Sequence, residues 1–259
     1  MKKVSLILVA LLMAAGCGTN MFEGMEDKNT TEATASEVTM KLDRGDYAWV
    51  LANADKANAT DYAAAAMGAA GLNPTELIKA LNDIAGETGT KNDIGAVTSI
   101  SIDTSELSAL QTAKGKLSDE LLAKPGDPDL SFQLVLTSIT SIITAIAKVG
   151  EEAPLAGFDP SVGGIDIDEA VLLGDYIASN PNAQVDTDGD GITDVSLVSL
   201  IAEDVGNAVV ALPDANLGAS DLNQVLTDVT QGDESLDFDN DGTVESTDIS
   251  DYLKNVLGQ

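Results

Sequence analysis

The chain has 259 residues, 44% of them hydrophobic and only 3% aromatic, so a sizeable core is available and Leu, Ile, Val and Ala must fill it. Its 43 acidic residues against 13 basic ones leave a formal charge of −30, which repels phosphate backbones and excludes nucleic acid as a partner. Histidine is absent and there is a single cysteine, which removes zinc centres built on His and Cys, Ser-His-Asp triads and Cys-His dyads, and argues against an enzyme.

At the N-terminus, Lys2 and Lys3 precede an apolar run over residues 4–15, the pattern of a secretory leader. Ala14, Ala15 and Gly16 then place small residues directly before Cys17. This resembles the bacterial lipobox, with Ala14 where Leu is commoner. The resemblance implies cleavage before Cys17, acylation of that residue and a stable membrane anchor made of several chains. Gly18 stands where an Asp would retain such a protein at the inner membrane, so the resemblance points to the outer membrane. Residues 1–17 are thus read as leader and lipidation site. Residues 18–31 are polar and without period, as a flexible tether is.

From Glu32 the pattern is helical. Val38, Leu42, Tyr47, Val50 and Leu51 recur at helical spacing and are interrupted by Arg44-Gly45-Asp46, a turn between two helices. Thr60 is placed to cap an alanine-faced helix over 61–70. Asn73, Pro74 and Glu76 open another that runs to about Ile84. Residues 34–84 resemble a degenerate tetratricopeptide repeat, with Gly45-Asp46-Tyr47 at the family's inter-helix turn and Met67-Gly68 at its Leu-Gly position. The resemblance implies a stacked helical hairpin; little more than one repeat is present, too few for a peptide-binding superhelix. Residues 86–102 read as loop, with a short strand signal over 97–102.

Asp127-Pro128 opens a longer helix, and residues 130–147 contain no charge, close to membrane-spanning length. Phe132, Val135, Leu136, Ile139, Ile142, Ile143 and Ile146 step by three and four along one face, with Ser and Thr on the rest, which predicts a central core helix instead of a membrane span. Residues 151–164 are rich in Pro and Gly and form the best boundary between a helical, repeat-like domain at 32–150 and an acidic helical domain at 165–259. Helices are expected over 167–178, 196–212, 220–229 and 248–257. The fold class read from this pattern is all-α: helical hairpins and a bundle, followed by a C-terminal helical domain carrying calcium loops.

From Pro160 onward there are 21 acids and one base, Lys254, so compactness there calls for divalent counter-ions. Two loops have the spacing to hold them. Residues 237–248 put Asp237, Asp239, Asp241, Glu245 and Asp248 at positions 1, 3, 5, 9 and 12. Gly242 permits the sharp bend and Thr243 offers its backbone carbonyl, which together make the oxygen shell that Ca2+ requires. Asp at position 12, Ile249 starting a helix and Gly232 upstream resemble the calcium loop of dockerin modules. The tandem partner segment of that family is not found at its usual distance. The second loop offers Asp186, Asp188, Asp190, Ile192 and Asp194, with Gly191 at the bend and Leu197 at position 12. It resembles the short aspartate repeats of thrombospondin type 3. The loss of the closing carboxylate predicts weaker binding. Other acids read as solvated faces and helix starts.

The sequence therefore points to a calcium-binding, lipid-anchored scaffold or adaptor of the cell envelope, acting on the outer membrane with a protein partner and without catalysis. A dockerin-like attachment unit for a cohesin-type partner, and a lipoprotein accessory to a transporter or secretion complex, remain as alternatives.

Overall fold

A computed structural model describes residues 31–72, 101–153, 155, 158–161, 165, 167–215 and 243–254. Among them the chain is all-α: α1 (Thr31–Asp43), α2 (Tyr47–Ala52), α3 (Ala59–Ala69), a 3₁₀ turn at Thr104–Glu106, α4 (Leu107–Ala123), α5 (Pro128–Glu152), α6 (Ile167–Ser179), α7 (Leu197–Ala211) and α8 (Ser246–Tyr252). One antiparallel ladder of two residues per strand, β1 (Gln184–Val185) and β2 (Val195–Ser196), sits between α6 and α7. The sequence pattern did not reveal α4. Its buried Leu107, Leu110, Ala113 and Leu117 keep the helical period, and the Asp103 side chain accepts from Ser105 N–H just upstream. The expected helices at 73–84 and 220–229 lie outside the described residues, as does most of the 97–102 strand signal.

Helix α5 is the axis of the molecule, packed by α3, α4 and α7. Asp127 caps it by accepting from the N–H groups of Asp129 and Leu130, and Pro128 occupies its first turn. Within its most apolar stretch 83% of the residues are buried inside the fold, so it is a core helix, as the spacing of its Ile and Leu residues predicts. The hydroxyl-bearing face is buried as well. Thr137, Thr140 and Thr144 satisfy their hydroxyls by donating to the carbonyls of Gln133, Leu136 and Thr140 one turn back.

Two apolar clusters flank this axis. The first joins α3 (Tyr62, Ala66, Met67), α4 (Leu110, Leu117) and the start of α5 (Leu130, Val135, Ile139) to the end of α7 (Ala208, Ala211) and Leu212. The second joins the end of α5 (Ile142, Ile146, Val149) to α6 (Leu173, Ile177), the start of α7 (Leu197, Ile201) and α8 (Ile249, Leu253). Helix α7 therefore runs antiparallel to α5. Both clusters draw on residues from either side of the 151–164 joint, so the helices that flank that expected boundary share their cores.

The hairpin at the N-terminal end places Tyr47 against Gly68: a Cβ at Gly68 would lie 2.5 Å from the Tyr47 ring. Helix α3 starts two residues earlier than Thr60 suggested. Its cap is Asn58, whose side chain accepts from Asp61 N–H at 2.7 Å while Thr60 Oγ1 donates to the same oxygen. Asn reaches the free N–H groups as well as Thr does, and the alanine at 59 extends the helix at no cost.

Candidate metal centre

The loop at 186–194 is closed at its base by the β1–β2 ladder, which pairs Gln184 with Ser196 and Val185 with Val195. Asp194 N–H donates to the Val185 carbonyl and Leu197 N–H to that of Ala183. Inside this frame the chain folds back on its own carboxylates. Asp186 accepts from Gly189 N–H at 2.7 Å on one oxygen and from Gly191 N–H at 2.9 Å on the other. Asp188 accepts from Asp190 N–H, and Asp190 from Ile192 N–H. Gly189 and Gly191 both have φ of 82°, a left-handed conformation that side chains other than glycine resist, and these two residues let the turn close.

This winding gathers one oxygen each from Asp186, Asp188 and Asp190 within 4.8 Å of one another. Calcium binds oxygens at about 2.3–2.6 Å, so ligands on opposite sides of one ion stand roughly 5 Å apart, and the three carboxylates fit a shared cation. Asp186 is buried, whereas Asp188 and Asp190 are exposed. Burial pushes the Asp186 carboxyl up. The N–H groups of Gly189 and Gly191, the Lys148 ammonium and the N–H of Asp188 together outweigh it and hold the group below the ordinary aspartate range.

The other predicted ligands stand differently. Asp194 points across the loop, accepting from the Thr187 N–H and, on both oxygens, from its hydroxyl at 3.1 and 3.3 Å. The Ile192 side chain is exposed. Leu197, at position 12, is buried in the second apolar cluster, so this position serves the core and the loop closes without a twelfth ligand. Sequence reasoning missed the surroundings of the loop. A Cβ at Gly189 would touch the Ser108 hydroxyl at 3.4 Å, and Lys148 and Glu152 at the end of α5 lie within electrostatic reach of Asp186. These neighbours come from distant parts of the chain, and no local spacing announces them.

Of the loop at 237–248, Asp237, Asp239 and Asp241 lie outside the described residues, and so does Cys17. The described half contains Thr243, which is exposed, and the start of α8. There Glu245 and Asp248 form a reciprocal capping box, with Glu245 N–H donating to Asp248 Oδ2 at 2.7 Å. Asp248 is buried at the helix start. Comparison with known proteins finds no matching family model, no matching curated protein and no matching solved structure.

Proposed function

We propose that this chain is a calcium-stabilised, lipid-anchored scaffold of the cell envelope that holds a protein partner and performs no chemistry. The observation that carries the calcium reading is the convergence of the Asp186, Asp188 and Asp190 carboxylates within 4.8 Å on a loop closed by two left-handed glycines. Three carboxylates held that close repel one another, and a divalent cation between them turns the repulsion into cohesion. The loop leads directly into α7, a helix that contributes to both apolar clusters, so an ion there braces the core and not only the surface. Anchoring rests on the charged, apolar and small-residue pattern that ends at Cys17.

An ion that binds only the folded chain stabilises it by about 2.7 kcal/mol at a hundredfold excess over Kd. Thermal unfolding in calcium and in EGTA therefore separates, with the higher midpoint in calcium; coincident midpoints would refute the scaffold reading. For the anchor, Cys17→Ser releases the protein from membranes in a detergent-partitioning assay. A wild-type protein that stays in the aqueous phase contradicts it.

A further inference from the structure

The interior holds a second group of ionisable and polar side chains unconnected to the acidic loops. Lys114 on α4 reaches across to Asp204 on α7, and its ammonium is bonded to Asp204 Oδ1. Both side chains are almost wholly enclosed, at 4% and 0% exposure. Beside them stands the buried Ser141 hydroxyl of α5, to whose Oγ Gln111 of α4 donates its amide at 2.8 Å. Asp204 Oδ2 has no hydrogen-bond partner.

A carboxylate withdrawn from water needs both oxygens compensated, because each unsatisfied charged atom carries its own desolvation penalty. Here one oxygen has an ammonium and the other has nothing. The remaining charged groups do not repair this. Glu203 on α7 adds negative charge, the stretch of α5 facing Asp204 carries only hydroxyls and apolar groups, β2 is Val195–Ser196, and Lys114 is the cation that α4 supplies.

We propose that Asp204 is a built-in proton acceptor whose neutralisation on mild acidification tightens the junction between α4, α5 and α7. The proton comes from bulk solvent and settles on Oδ2, while Oδ1 keeps Lys114. Burial, the largest influence, pushes the Asp204 carboxyl up to about 6. Lys114 and Ser141 oppose it and Glu203 adds to it. The folded value thus exceeds the ordinary 3.8 of the unfolded chain. A group raised in this way penalises folding above its folded pKa, and the penalty is relieved as pH falls towards the unfolded value. The folded state gains stability as pH drops from 7 towards 5.

The test is a carbon-13 NMR titration of the aspartate side-chain carboxyls in the full chain, run with calcium held constant. A resonance with its midpoint near 6, absent from Asp204→Asn and moved higher still in Lys114→Met, is the expected result. Between pH 7 and pH 5 the wild-type folding equilibrium constant rises relative to that of Asp204→Asn by about tenfold, for a carboxyl at about 6 in the folded chain and 3.8 in the unfolded one. If Asp204→Asn fails to fold, the wild-type titration and the Lys114→Met displacement still decide. An Asp204 that titrates with the exposed carboxylates overturns the proposal, and so does a wild-type chain whose pH dependence parallels that of the Asn variant.

Discussion

In the loop at 186–194 the Asp186 carboxylate holds a backbone N–H on each oxygen, whereas at the junction of α4 and α7 the Asp204 carboxylate holds Lys114 on one oxygen and nothing on the other. The first group is pulled below the ordinary aspartate range and the second pushed above it, although both are buried. Asp186 lies shallow, beside the exposed Asp188 and Asp190, whereas Asp204 is fully enclosed, so the depth of burial and the number of donors together set how each carboxylate behaves. The difference has an architectural cause. A glycine-rich loop can turn its own N–H groups onto a side chain, but in a helix such as α7 the backbone donors are already committed to the ladder, and the side chain depends on what neighbouring helices bring.

The largest effect that would sharpen this contrast comes from removing the ammonium at the interior site. Lys114→Met strands a buried carboxylate and costs about 3–5 kcal/mol, read as a lower urea midpoint at pH 7. The double replacement Lys114→Met with Asp204→Leu recovers most of that loss, because a well-packed apolar pair needs no compensation. A double variant as unstable as the single one would break the account of the pair. Next in size is Leu197, which ties the loop to the core. Leu197→Ala opens a cavity at a site that is 1% exposed and costs about 2–5 kcal/mol in the same measurement. Leu197→Asp, which would complete the twelfth position of the loop, instead places a charge in that cluster and unfolds the chain before it can improve the site.

The helices were legible wherever the signal was local. The uncharged stretch of α5 and the caps at its start follow from periodicity and from Asp127-Pro128 alone, and the aspartates and glycines of 186–194 announce their turn by spacing. What the sequence hid was everything that depends on distant partners. Helix α4 carries Gln111, Lys114 and Lys116 among its apolar residues, which blurs the apolar period: Lys114 is buried against α7, Gln111 is half-buried and bonded to Ser141 of α5, and Lys116 lies over the Tyr62 ring of α3. Asp204 looks like half of a solvated Glu-Asp pair, since nothing within its own helix reveals that Lys114, ninety residues earlier, closes over it. The same holds for Leu197, whose place at position 12 marks a missing ligand when the loop is considered alone and a core residue once α5 is present.

A smaller effect tests the loop's backbone. Gly191 has φ of 82° and no heavy atom near an added Cβ, so Gly191→Ala is strained through the main chain alone, by about 1–2 kcal/mol. Its cost falls on the folded chain with or without the ion, so the unfolding midpoints in calcium and in EGTA drop together in fluorescence-monitored unfolding. The two carboxylates also separate by pH. Asp204 stabilises the apoprotein as pH falls from 7 through about 6, whereas Asp186, held below its ordinary 3.8, contributes stability above that value and loses it only as pH falls further. An acid-unfolding series in EGTA therefore rises before it falls, and Asp204→Asn removes the part of the rise centred near pH 6.

The central claim is that Asp186, Asp188 and Asp190 hold a calcium ion, and calorimetric titration of the full chain with calcium tests it most directly. The account predicts a weaker event assigned to this loop, which Asp190→Ala removes, alongside a tighter event from the five-acid loop at 237–248 that Asp241→Ala removes. A titration in which Asp190→Ala leaves every binding event in place would contradict it.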